Sequence, residues 1–154
     1  MTYELLLQEA EDNSIEVIEF TFESDCKAMI VDNIIAMSDK LITDKEKKCI
    51  LAEEIGHYHT SSGNILNLNK ISNRKQELKA RKYAFEKLIT LKDIIKASYK
   101  GCTNLFELAE YLDVTEQFLK DTLQHYQNKY GLYTEVGNYC IYFNPLTVCK
   151  YKYE

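Results

Sequence analysis

The stretch Thr43–Ser61, TDKEKKCILAEEIGHYHTS, constrains this chain more than any other. It reads as one helix. Thr43-Asp44-Lys45-Glu46 fits a capping box, in which the Thr43 hydroxyl takes the N–H of the third helical residue and Glu46 reaches back. Ile50, Leu51 and Ile55 supply its apolar contacts. Glu53 and His57 stand at i, i+4, so they share one helix face, with Glu54 beside them. This is the spacing of the H-E-x-x-H metallopeptidase helix, with Glu in place of the first His. Two ligands one turn apart can hold a zinc ion, and the carboxylate next to them can take a proton from the attacking water.

A catalytic zinc needs about three protein ligands, so a third must come from elsewhere in the chain. A second helix is expected over Asn73–Ile89, where Ala80, Ala84 and Leu88 recur at i, i+4, i+8. Two of these positions are small enough for close helix contact. Glu77 lies on the same line, three residues before Ala80. A carboxylate in an apolar stripe is costly unless a metal, a hydrogen bond or a cation compensates it. Glu53, His57 and Glu77 are therefore the candidate metal ligands, and Glu54 is the candidate general base. Blander readings exist for each. A Glu-Glu pair is commonly a solvated face, and His57 can be a hydrogen-bonded, half-buried histidine. Glu77 can serve the helix N-terminus or pair with Arg74 or Arg81. His59 is off the register, and His59 and His125 are both read as surface residues.

The rest of the chain is that of a folded domain. It has 154 residues, 45% hydrophobic and 28% charged, with one Pro and five Gly, so no long flexible linker is expected. A net charge of −5 argues against non-specific attraction to nucleic acid or anionic membrane. The five cysteines show no C-x-x-C spacing. There is no signal-peptide pattern at the start and no apolar run long enough to span a bilayer, which together suggest a cytoplasmic protein with reduced, buried thiols.

Ahead of the motif, residues 2–11 suggest a helix whose apolar side is Leu5, Leu6 and Leu7. Ile15–Phe22 reads as a strand, and Ala28–Val31 and Ile34–Met37 as a hairpin about Asp32-Asn33. A small antiparallel sheet of about three strands is expected. Behind the motif come a polar loop to Asn73, the Glu77 helix, and a helix over Leu91–Tyr99 closed by Gly101. Two helices follow over Leu105–Tyr130, joined at Asp113-Val114-Thr115, then a hairpin over 132–143 interrupted by Pro145 and an exposed KYKYE tail.

The stretch CILAEEIGHYHTSSGNI, followed by NRKQELKARKYAFEKLITLKDII, resembles the ImmA/IrrE family of metallo-endopeptidases. It resembles more closely the short members from phages and mobile elements of Gram-positive bacteria. The resemblance extends to IEVIEF and MIVDNIIAM upstream and to NLFELAEYLDVTEQFL and YFNPL downstream. Glu54 and His57 match the family pattern, and Tyr83–Ile89 matches its second helix. Two positions depart from it. Glu53 stands where the first His belongs, giving a harder, oxygen-rich donor set. Lys79 stands where the family has Glu, and Glu77 lies about half a turn earlier.

The resemblance implies an α+β fold: a zincin-like minidomain over 1–100, with a helical pair and C-terminal hairpin over 101–154, packed as one compact unit. It also implies zinc-dependent cleavage of a protein, in this family typically a helix-turn-helix repressor encoded beside the protease. The alternative is a non-catalytic regulator that binds a repressor or another element protein without cutting it. A third reading, DNA binding by the pair over 105–126, meets the wrong charge: from Asn104 to Gly131 there are five acidic residues and two basic ones. Neither nucleic-acid nor membrane binding is expected.

Overall fold

In a computed structural model, residues 1–61 and 70–151 are described, the side chains of 70–73 excepted. Of the polar loop expected to run to Asn73, residues 62–69 lie outside them, as do the last three residues of the tail, and the following helix already begins at Lys70. The chain forms two compact units, Met1–Leu88 and Ile89–Glu154.

The first unit opens with α1, Tyr3–Asp12, whose Thr2 hydroxyl accepts from the Leu5 N–H at 3.2 Å. Leu6 and Ala10, one turn apart, are fully buried, whereas Leu5 is exposed. The buried side of α1 is thus a narrow i, i+4 stripe and not the whole leucine run. Strands β1 (Glu16–Phe20), β2 (Ala28–Val31) and β3 (Ile34–Ser38) follow, in the spatial order β1-β3-β2. The β2–β3 hairpin turns at Asp32, which adopts φ 52°. The sheet is mixed, because β1 pairs parallel with β3, from Glu16 opposite Ile34 to Phe20 opposite Ser38. Residues 21–27 form no tight turn; they carry the chain past the hairpin and leave β1 on the far edge of β3. Buried Ile35 and Met37 mark the inner face of the sheet.

Helix α2 spans Asp44–Thr60. Half of the expected capping box forms: the Thr43 hydroxyl accepts from the Glu46 N–H at 3.2 Å, while the Glu46 carboxylate faces Lys27 at 3.7 Å. Helix α3, Lys70–Leu88, packs on α2 through the expected small stripe, with Ala80 and Ala84 fully buried. Lys87 of α3 pairs with Glu9 of α1 at 2.7 Å.

The second unit begins with α4, Leu91–Tyr99, closed at its start by a complete Thr90/Asp93 capping box. Helices α5 (Leu105–Leu112) and α6 (Glu116–Tyr130) meet at Asp113, whose φ of 55° performs the turn that Gly often makes. Strands β4 (Tyr133–Val136), β5 (Tyr139–Phe143) and β6 (Leu146–Lys150) form an antiparallel sheet in that order. The expected hairpin therefore gains a third strand. Pro145 sits in the β5–β6 turn, where its missing N–H costs no ladder bond, so it ends one strand without ending the sheet. Ile94, Leu119 and Ile141 are fully buried, and the Tyr126 hydroxyl donates to the Ile89 carbonyl at 2.6 Å.

His125 corrects an expectation: it is buried and packs on Tyr126, with ring centroids 5.4 Å apart, because it lies on the inward face of α6 with Phe118 and Thr122. His59 is exposed as expected. All five cysteines are free thiols, but only Cys49 and Cys140 are buried. No helix among the described residues is long and apolar enough to cross a membrane. The α+β class agrees with the sequence reading: six helices and two small sheets among the described residues.

Candidate metal centre

Two helices build the site. Helix α2 brings Glu53, Glu54 and His57, and α3 brings Glu77. The helices can approach closely because Gly56, between these residues, has no side chain. A Cβ placed there would stand 2.5 Å from the Ala80 carbonyl oxygen. Gly56 and the Ala80/Ala84 stripe therefore set the distance across which Glu77 meets His57.

The His57 Nε2 lies 2.9 Å from the Glu77 Oε2. Glu53, His57 and Glu77 each offer one ligand atom, and the three atoms lie within 4.8 Å of one another. Glu53 and His57 are half-buried, and Glu77 is exposed. One nitrogen and two carboxylate oxygens converging in this way form a donor set that fits a divalent cation such as zinc.

The electrostatics show how the cluster balances itself. Burial, then the hydrogen bond to Glu77, raises the Glu53 carboxyl to about 8. Glu77 is pulled down to about 2, first by its hydrogen bond with His57 and then by that with Glu53. The imidazole of His57 is raised, chiefly by Glu77. At neutral pH the proton of the carboxyl pair thus resides on Glu53, which donates to ionised Glu77. Arg81, one turn beyond Glu77, adds positive potential that favours ionisation of both Glu53 and Glu77. Glu54 is separate from the donor set. Burial raises it to about 7, opposed by His57. A carboxylate that titrates near neutrality is suited to accept and return a proton.

The four residues singled out in the sequence are thus gathered at one place. Glu77 reaches His57 although it is displaced by about half a helical turn from the family position. Two contributors escaped the sequence reading. Gly56 had a signal, a residue without a side chain on a helix expected to face an Ala stripe. Arg81 reads from the sequence as an ion-pair partner of Glu77, and its reach to Glu53 depends on the approach of the helices.

Residues 4–124 match the family described as IrrE N-terminal-like domain, a family of zincin-like metallopeptidases. Membership gives the chain a metallopeptidase-like function with polypeptide as its substrate class, and makes a metal a fitting cofactor. No curated protein and no solved structure matches the chain with significance.

Proposed function

This chain belongs to the family of IrrE N-terminal-like peptidases, and from that premise we propose that it is a zinc-dependent endopeptidase. In this reading Glu53, His57 and Glu77 hold the ion and Glu54 is the general base. The observation that supports it is the convergence of one imidazole and two carboxylates within 4.8 Å, beside a fourth carboxyl raised to about 7. A zinc ion held there would lower the pKa of a water molecule and polarise the scissile carbonyl. To hold the ion, Glu53 would have to be ionised and His57 would have to be the neutral imidazole. Glu54 takes the proton of the attacking water and delivers it to the departing amine, so one carboxylate serves both halves of the reaction. Arg81 offsets the negative charge that accumulates when Glu53 and Glu77 are both ionised.

The substrate we propose is a helix-turn-helix repressor of the same phage or mobile element, and the setting is the bacterial cytoplasm. Support for both comes from the family resemblance. The test is incubation of the zinc-loaded chain with the repressor encoded beside it. Cleavage that a chelator stops and added zinc restores is the expected result. An intact repressor under saturating zinc contradicts the proposal.

One observation favours the second reading, a regulator that binds without cutting. With Glu53 donating to Glu77 and Glu77 paired with His57, the cluster is internally satisfied and needs no ion to hold α2 against α3. That reading predicts a stable complex with an uncut repressor, indifferent to chelators.

A further inference from the structure

We propose that the outer face of the β1-β3-β2 sheet is a docking surface for a basic polypeptide, one presenting an apolar patch bordered by Lys and Arg. The inference rests on the peptidase reading only in taking that polypeptide to be the substrate.

The face follows from strand alternation. Val17, Ile30, Ile35 and Met37 turn toward the helices, and the alternate residues turn away. On β1 these are Ile18 and Phe20, on β3 Ile34, and on β2 Met29 and Val31. Register joins them into one patch: Ile18 and Met29 both lie opposite Ala36, and Ile34 lies opposite Val31. All five are substantially exposed, from 37% for Ile18 to 58% for Val31. The Phe22 ring packs edge-on against Phe20 at 4.9 Å and extends the apolar surface. A polar outer face is the ordinary solution for a two-layer sheet, so five large apolar side chains there call for a covering partner.

Charge selects the partner. Residues 11–40 carry Glu11, Asp12, Glu16, Glu19, Glu23, Asp25, Asp32 and Asp39 against Lys27 and Lys40. That is eight acidic and two basic, a net −6. The whole chain is −5, so the other residues together are +1. All eight carboxylates are exposed. Glu16 shares the outer face with Ile34, and Asp32 stands at the β2–β3 turn beside Val31. Glu19, opposite Met37, lies on the other face, and Glu11 and Asp12 belong to α1, adding only longer-range negative potential. Lys27 is already engaged with Glu46, and the Lys40 ammonium meets the Phe22 carbonyl at 3.5 Å. A second copy of this chain would bring a second net −6 segment against the first. An anionic lipid surface would be repelled in the same way. A basic polypeptide is attracted, and its apolar patch covers the five exposed side chains.

The test uses the full chain, metal-loaded and metal-free, with fluorescent 14-residue amphipathic peptides as probes. One is built of Leu and Lys and one of Leu and Glu. The Leu/Lys peptide is expected to bind with an affinity that falls as salt rises, and the Leu/Glu peptide is expected not to bind. Ile18→Ser/Phe20→Ser should weaken the Leu/Lys peptide about tenfold, with the circular dichroism of the chain unchanged. Glu16→Gln/Asp32→Asn should weaken binding and flatten its salt dependence, while exposed Leu132→Ser in the other unit should leave it as it is. Equal binding of both peptides, or affinity unaffected by the Ile18/Phe20 variant, overturns the proposal. So does a dimer, or uptake on phosphatidylglycerol vesicles, that is lost in the same variant. Peptide binding needs no hydrolysis, so Glu54→Gln should retain it, and failure of the docking surface is distinguishable from failure of the peptidase reading.

Discussion

Glu54→Gln is expected to retain zinc at the level of the unaltered chain and to lose peptide hydrolysis by about a thousandfold. The substitution keeps the size and most of the polarity of the side chain but removes its ability to accept a proton. Glu54 lies outside the group of converging donors, so metal uptake should not change. Its carboxyl titrates near 7 because burial opposes ionisation while His57 favours it. The activity of the unaltered enzyme should therefore fall as pH drops below about 7, where the base is protonated. Rates of repressor cleavage measured beside zinc content decide the matter. Cleavage within a few fold of the unaltered chain would remove Glu54 from the role of base. Loss of zinc together with activity would make it a ligand.

Gly56→Ala is expected to destabilise the fold by about 3 kcal/mol. The added Cβ would meet the Ala80 carbonyl oxygen at 2.5 Å, well inside van der Waals contact. The obstacle is backbone, so no rotamer change relieves it, and Ala80→Gly should not rescue the variant. The helices must separate, which also carries Glu77 away from His57, now 2.9 Å apart. Zinc affinity should thus fall with stability. Denaturant unfolding of the metal-free chain isolates the packing effect. A loss below about 0.5 kcal/mol, the range of ordinary surface substitutions, would show that α2 and α3 part without strain.

The grouping of the candidate site residues was more legible in the sequence than the scaffold that holds them. Glu53, Glu54 and His57 are local, and helical periodicity alone places them together. Glu77 was legible from its line on the Ala80/Ala84 stripe, which brings it to His57, but not from burial cost, because its side chain is exposed. What periodicity could not supply was the approach of the helices, because the consequence of Gly56 depends on what lies opposite. Strand existence was legible for the same local reason: alternation and the Asp32-Asn33 turn locate the β2–β3 hairpin. Strand partnership was not. The parallel pairing of β1 with β3 depends on the path of residues 21–27, which carry no turn signature. Pro145 misled because a breaker within a strand and a turn residue between two strands have the same local signal. The burial of His125 is not legible in the sequence, because an isolated His gives no indication of which helix face will be covered.

Calorimetric titration of zinc into the metal-free chain at pH 7, in two buffers of different ionisation enthalpy, tests whether Glu53, His57 and Glu77 hold the ion. To act as a ligand, Glu53 must lose a proton held with a pKa of about 8, and His57, whose pKa is also raised, must be neutral. Lowering the pH therefore opposes binding, and raising it through 8 favours binding until Glu53 is already ionised. One zinc per chain is expected, with release of about one proton or more at pH 7 and less at pH 9, and no binding by His57→Ala. Absence of zinc uptake at either pH, or uptake that His57→Ala leaves unchanged, would contradict it.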